Sequence, residues 1–406
     1  MPELNAALQR AESWLVGEAL PKWAGVGFDP KRRCFEEQLG FDGKPVVEVP
    51  RRVMVQARQI ATYSAAAVSG LFPAGLQLAQ AAAEAAIACY HRVDGRPGWV
   101  FSIDRNGGIV DTRRDLYAHS FLLFAFAWLA RATGNESDLN MAYTILGEID
   151  EIFPAPTHGG YVDALPRPDL LRRQNPHMHL FEGLLALHRV SGAEAVLERC
   201  RAMNRLARTR FIDPETGALR EYFTDDWAVH PAPGQGSVEP GHLFEWAWLL
   251  RWYEDASGED QSAIMEPMLR LALSAGTDPF TGRVVDEIGE DGHLRQRSSR
   301  CWPHAEALKA LTVETMAGRA DYTAVLEAIL NRLSTVYCRS ELGGGWVDLV
   351  DETDRPKSKI MPASSLYHLY FGLTEALHLE RKEANHHGHG RSASPQSPTL
   401  LISAEN

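Results

Sequence analysis

Six polar residues recur once every sixty or so positions, each near the start of an apolar stripe of helical period: Arg58, His119, His179, His242, His304 and His368. Successive spacings of 61, 60, 63, 62 and 64 predict that the six project from one height of a ring and converge. One histidine on an apolar helix is ordinarily a hydrogen-bonded core residue, but six in one layer read as the lining of a polar pocket. Carboxylates sit at helical offsets from them: Glu182 and Glu245 three residues after His179 and His242, and Glu306 two after His304. Residues three apart share a helix face, so such carboxylates can orient an imidazole and fix its tautomer. Trp246, Trp302 and Trp346 offer flat apolar surfaces, and the whole suits a neutral polyhydroxylated molecule. At helix N-termini the macrodipole disfavours a second positive charge, so the histidines are expected to be neutral bases beside the fixed cation of Arg58. That combination suits removal of a proton next to a carbonyl, where an enolate oxyanion develops.

Other chemistries find no support. The chain has no HExxH, no GxxxxGK[ST] and no GxSxG, and a would-be GxGxxG at Gly234 fails because Glu239 holds its last position.

The elements that must position these residues are about twelve helices, expected near 3–20, 50–69, 73–93, 113–132, 136–154, 176–190, 193–211, 240–256, 258–276, 302–318, 320–339 and 362–381. Short links follow the even-numbered helices, and longer segments that read as β-hairpins follow the odd-numbered ones. Proline is favoured at the first helical position, and Pro50, Pro176, Pro240, Pro303 and Pro362 are expected to open five even-numbered helices. The remaining one begins at DTRRD, where Asp111 or Thr112 can cap. With Arg113 as that start, the intervals are 63, 63, 64, 63 and 59 residues. Such a period predicts an all-α fold, an (α/α)6 barrel with the even-numbered helices inside and the short hairpins over one end. Two unrelated helical bundles are the alternative.

A single catalytic domain is expected over residues 1–382. From Glu383 the chain turns Ser/Pro/His-rich, and 383–406 reads as a disordered tail whose His386, His387 and His389 are weak metal ligands at best. A net charge of −12 with dispersed basic residues argues against nucleic acid or anionic lipid as a partner. No signal peptide is recognisable, and the most apolar run, 121–130, is about half the length of a membrane span. Five scattered cysteines without a CxxC pair fit a reduced compartment, so a cytoplasmic protein, monomeric or homodimeric, is expected.

Five segments carry a resemblance: RRVMVQARQIATYS (51–64), NPHMHLFEGLLAL (175–187), EPGHLFEWAWLL (239–250), WPHAEALKA (302–310) and SSLYHLYFGLTE (364–375). They resemble the N-acylglucosamine 2-epimerase superfamily, which includes N-acylglucosamine 2-epimerases, cellobiose 2-epimerases and isomerases acting on mannose. The resemblance covers residues 1–382 and implies an (α/α)6 barrel working through an enediol with neither metal nor cofactor. It implies that Arg58 binds the carbonyl end of the sugar, that His242 and His368 are the paired acid/base groups, and that His179 assists ring opening. Tyr63, His119, Asn175, Glu182, Glu245, Trp302 and Glu306 are carried over as substrate-binding positions, His119 as the weaker match, while His304 stands where many members carry Gln.

Among the family's activities the opening RRVMVQARQ and WPHAEAL look most like the bacterial mannose isomerases. With no phosphate cradle in view, interconversion of free D-mannose and D-fructose leads, followed by N-acylglucosamine 2-epimerisation. Two readings from other classes stand beside these: a glycoside hydrolase using a carboxylate pair from Glu182, Glu245 and Glu306, and an inactive sugar-binding protein.

Overall fold

The computed structural model describes residues 2–230 and 236–380, and the expected tail at 383–406 lies outside these. Twelve helices are found among the described residues. Helix α1 comprises Pro2–Trp14 and Leu20–Gly25, joined without a break by a π-helical turn. There follow α2 (Val53–Val68), α3 (Gly75–Tyr90), α4 (Leu116–Thr133), α5 (Glu136–Ile152), α6 (Gln174–Ser191) and α7 (Glu194–Leu206). The last five are α8 (Pro240–Ser257), α9 (Ser262–Gly276), α10 (Trp302–Met316), α11 (Thr323–Arg332) and α12 (Ser365–Ala376).

Burial divides them into two kinds. Every residue of α2 from Val53 to Ala66 is buried, as on a helix packed all round, whereas α7 buries only Val196, Leu197, Cys200, Met203 and Asn204, one stripe at helical spacing. The even-numbered helices pack on one another in order, and α12 returns to pack on α2. Each also packs on an odd-numbered partner, from α2 with α3 to α12 with α1. Two glycines let neighbouring even-numbered helices approach closely: a Cβ on Gly372 would lie 2.5 Å from the Ala305 carbonyl oxygen, and one on Gly183 would lie 3.0 Å from that of Ser120.

Two of the expected hairpins form, Ser102–Ile103 pairing with Ile109–Asp111 and Glu287–Gly289 with Leu294–Gln296, and pairings between repeats are added to them. The two or three residues just before each even-numbered helix run antiparallel to a segment about fifty positions further on. Arg51–Arg52 pairs with Ser102–Ile103, Arg114–Asp115 with Ala164–Leu165, and Arg172–Arg173 with Tyr222–Phe223. Ser237–Val238 pairs with Glu287–Gly289, Ser299–Arg300 with Leu349–Val350, and Ile360–Pro362 with Gln38–Gly40 of the first repeat. Pro362 therefore ends a strand instead of opening a helix, and Pro50 precedes the strand that leads into α2. Pro176 lies at the third position of α6, and the cap of α4 is Asp115, whose Oδ1 accepts from the Ala118 N–H. Pro240 opens α8 and Pro303 is the second residue of α10 as expected, while elsewhere the β-pairing takes over the helix start from the signals read in the sequence.

Buried side chains pin these crossings. Arg114 commits all five N–H donors, to both oxygens of Asp94 and to the carbonyls of Arg96, Pro97 and Thr112. Arg51 reaches Asp29 and Glu36, and Arg172 reaches the Gly159 carbonyl with its guanidinium 4.6 Å from the Trp227 ring centre. Because the Gly372 contact is backbone to backbone, Gly372→Ala must push α10 and α12 apart. We expect a loss of about 1–3 kcal/mol, read as a lower denaturation midpoint in urea; an unchanged midpoint would mean this approach is slack.

Candidate active site

A cavity of about 260 Å3 opens over the N-terminal ends of the even-numbered helices. Its outer layer comes from residues that begin those helices: Tyr117, Asn175, Glu239, Trp302, Ser364 and Ser365, with Arg300, Asp348 and Pro362 beside them. Further in lie Arg58, His179, His242, Glu245 and His368. Each of these five inner side chains sits on a helix, so its placement follows from the register set by the β-pairings.

The three histidines facing the cavity each turn Nδ1 toward a carboxylate. His368 Nδ1 is 2.7 Å from Glu306 Oε1, His242 Nδ1 is 2.9 Å from Glu221 Oε1, and His179 Nδ1 is 3.1 Å from Glu182 Oε2. A carboxylate accepts, so Nδ1 carries the proton in each and Nε2 is left for the cavity. Trp302 lies between two of them, its ring centre 5.2 Å from that of His242 and 5.4 Å from that of His368. Arg58 lies 4.1 Å over the Phe121 ring and donates to the Tyr117 hydroxyl at 2.5 Å and the Ser364 carbonyl at 3.1 Å. Glu245 Oε1 faces the site without a hydrogen-bond partner, 3.8 Å from His179 Nδ1.

Charge divides the two histidines that flank Trp302. Burial works against a proton on His242, but Glu221, Glu239 and Glu245 outweigh it and push the imidazole up to about 10. Burial, with Arg58, Lys309 and His179 adding to it, holds His368 well below the usual range. Burial likewise lowers His179 to about 4 despite Glu182. The site thus pairs an imidazolium with a neutral base, a correction to the expectation that every histidine here is neutral: the carboxylates facing His242, Glu221 in hydrogen-bond contact foremost, overcome both burial and the helix terminus.

Three expected pocket residues, His119, His304 and Tyr63, lie elsewhere. His119 does not face the cavity. Its Nδ1 donates to the Asp115 carbonyl at 2.8 Å and its Nε2 accepts from the Trp99 N–H at 3.1 Å, which ties α4 to a loop. His304 does the same with Arg300 and Val284, so the six residues do not converge as one layer. His177 makes the equivalent contacts with Arg173 and Tyr161. Tyr63 is also structural, since its hydroxyl donates to the Leu20 carbonyl and its ring stacks on Phe35 at 5.3 Å. Asn175, Glu245 and Trp302 line the cavity, while Glu182 and Glu306 stand behind the histidines they hold.

Sequence reasoning missed Tyr117, Glu221, Glu239, Arg300, Asp348, Lys309 and Tyr367. A signal existed for some. Counting from His119, His177 and His304, the residue two positions earlier is Tyr117, Asn175 or Trp302, and the residue two later is Phe121, His179 or Glu306. Grouping His179 with His119 slipped the register by two residues. Glu221 had no such signal, because it comes from a loop just before a β-pairing, far from His242 in sequence.

Three donor sets among the described residues bring ligand atoms within 4.8 Å of one another: His179, Glu182 and Glu245; Glu221, Glu239 and His242; and Glu245, Glu306 and His368. Each could hold a divalent ion, and each also serves as a hydrogen-bonded acid/base pair. No helix among the described residues is long and apolar enough to cross a membrane.

Facing acid/base groups over a ring of helix N-termini define an enzyme site. Across residues 34–372 the chain matches the family described as N-acylglucosamine 2-epimerase (GlcNAc 2-epimerase), and it belongs to that family of isomerases and epimerases. It is 34% identical over 388 residues to a mannose-6-phosphate isomerase of Rhizobium meliloti (strain 1021), covering 92% of this chain and 97% of the relative. It is 28% identical over 241 residues to a D-mannose isomerase of Thermobifida fusca, covering 53% and 57% of the two chains. The structure of cellobiose 2-epimerase from Spirochaeta thermophila DSM 6192 superposes with a TM-score of 0.83 over 95% of this chain and 99% of that one, at 22% identity, which shows a shared fold.

Glu221 is the carboxylate nearest His242, and an opposite charge this close favours the charged form by about 1–3 units. Removing it in Glu221→Gln lowers the His242 pKa, so the imidazolium is lost at lower pH. Nitrogen NMR should show His242 titrating near pH 10 in the unaltered protein and about 1–3 units lower in the variant. An unmoved midpoint would transfer the effect to Glu239 and Glu245.

Proposed function

We propose that this enzyme interconverts a free aldose and its ketose, D-mannose and D-fructose, by proton transfer through a cis-enediol. The observation that carries the reading is the pairing of a neutral His368 with a cationic His242 on either side of Trp302, beside the guanidinium of Arg58. His179, neutral with Nε2 free, takes the anomeric hydroxyl proton and delivers it to the ring oxygen as the C1–O5 bond breaks, so that it ends neutral again. The carbonyl oxygen then lies against Arg58. His368 Nε2 removes the C2 proton, the C1–C2 double bond forms, and the charge moves to the carbonyl oxygen, where Arg58 stabilises it. His242 protonates that oxygen. It then recovers a proton from the C2 hydroxyl as the C2 carbonyl forms, while His368 returns its proton to C1. Both histidines end as they began.

A free sugar is favoured over a sugar phosphate by the charge around the mouth. Glu239 and Asp348 line it, and its arginine, Arg300, already lies 3.6 Å from Asp286, so a phosphate dianion would meet mostly carboxylates. The same two histidines support epimerisation as a second reading, in which His242 returns a proton to C2 from the opposite face; an N-acylated hexosamine is its substrate. Hydrolysis is disfavoured because Glu182 and Glu306 are occupied behind histidines. The reading extends to a closed (α/α)6 barrel forming one catalytic domain over 1–382, supported by the return of α12 to α2 and of Ile360–Pro362 to Gln38–Gly40. It also includes a cytoplasmic enzyme, monomeric or homodimeric, that needs neither metal nor cofactor.

Proton NMR in deuterium oxide with D-mannose, mannose 6-phosphate, N-acetylmannosamine and a β-glucoside tests the substrate, and only mannose should turn over rapidly. Exhaustive chelation should leave that rate intact; loss restored by added zinc or manganese would give the carbonyl-polarising role to a metal. His368→Asn and His242→Asn should each lower turnover by at least about a hundredfold. Exchange of the C2 proton should persist in His242→Asn and vanish in His368→Asn, and the reverse pattern would swap the two roles. Arg58→Lys keeps the charge but loses the fork, so turnover should fall more than affinity.

A further inference from the structure

Beneath the cavity lies an ammonium group that the mechanism above does not use. Lys309, one turn along α10 from Glu306, is fully buried, with Nζ 2.5 Å from Glu306 Oε2 and 4.2 Å from the Trp248 ring centre. The other oxygen of the same carboxylate accepts from His368 Nδ1, so lysine, glutamate and histidine form one chain that ends in the cavity. We propose that Lys309 is a positioning residue: its charge keeps Glu306 ionised, and Glu306 in turn holds His368 with Nδ1 protonated and Nε2 open to substrate.

The physical basis is the cost of a buried charge. A carboxylate in this position is sustained only by a partner of opposite sign, and without one it takes up a proton. Burial lifts Glu306 above the usual carboxylate range even with Lys309 beside it, and the ammonium is the largest influence acting the other way. The groups packed around this pair come from every neighbouring helix: Arg58 on α2, His179 and Glu182 on α6, Glu245 on α8, and Tyr367 with His368 on α12. Three of them, Glu182, Glu245 and Tyr367, add negative charge or none. The more distant cations do not replace a contact at 2.5 Å. A protonated Glu306 would present an O–H to His368 Nδ1, drive the ring proton to Nε2 and leave no lone pair for the substrate.

The inference rests on His368 acting as the base, and its test includes a readout that needs no substrate. In Lys309→Met, which removes the charge at similar volume, Glu306 should hold its proton to higher pH. The acidic limb of turnover should then move up by about 1–3 units, with a tenfold loss for each unit by which it passes the assay pH and recovery in more alkaline buffer. Nitrogen NMR of the free enzyme should show His368 changing from Nδ1–H to Nε2–H over the same range. If Lys309→Met does not fold, the double variant Lys309→Met with Glu306→Gln restores a neutral pair. It should keep Nδ1–H at all pH values and lose the limb. A folded Lys309→Met with lower stability but an unmoved limb and tautomer, or a double variant that retains the limb, would overturn the proposal. A tautomer that responds in an enzyme that turns over no sugar would instead sink the isomerase reading and leave the relay standing.

Discussion

Backbone hydrogen bonds between successive repeats set the height of every helix that reaches the cavity. Each pairing joins the residues before an even-numbered helix to a loop about fifty positions later, and the sixth joins residues 360–362 to 38–40. A strand slipped by one residue would turn Tyr117, Asn175 or Trp302 away from the mouth, because strand direction sets where the following helix starts. Arg51, Arg114 and Arg172 prevent such slips by binding carbonyls and carboxylates of the adjoining loops. His119, His177 and His304 do the same from inside the helices. Residues that look catalytic by type thus include a structural set that makes the catalytic set possible.

Burial is the second constraint, and the site answers it with paired charges. Glu182, Glu306 and Lys309 lie behind the histidines and Glu245 beside them, all four buried. In such surroundings a carboxylate is costly unless it is hydrogen-bonded or faces a cation, so Glu182, Glu221 and Glu306, which hold His179, His242 and His368, are each tied to a further group, Tyr367, Gln174 and Lys309. Glu221 illustrates this, accepting from His242 with one oxygen and from Gln174 with the other, while Gln174 accepts from Trp246. The consequence is two imidazoles of one chemical type in different charge states, one cationic and one neutral. A site that moves a proton from carbon and another from oxygen needs that difference.

Periodicity in the chain was enough to establish the number of helices, their pairing and the alternation of fully buried with half-buried ones, since each depends on residues three or four apart. Repeat spacing brought Arg58, His179, His242 and His368 to one end of the helices, but it placed His119 and His304 among them, and these two bind loop backbone instead. Helix starts at Pro50, Arg113 and Pro362 did not survive, because β-pairings with segments remote in sequence overrode local preferences for proline and capping residues.

What the sequence determined by itself is therefore whatever a helix stores locally: which faces are apolar, which residues recur and at what interval. The direction of a side chain within the ring lay outside that information. His119 and His179 occupy the same type of helix near the same height, yet a two-residue difference in register sends one to a loop amide and the other to the cavity. Charge state was equally hidden, since His242 keeps its proton because Glu221, on a loop outside its helix, accepts from it, and His368 is kept neutral by burial and by cations on other helices. Electrostatic energy in a low-dielectric interior depends on distances in space, and only the folded chain brings those groups together.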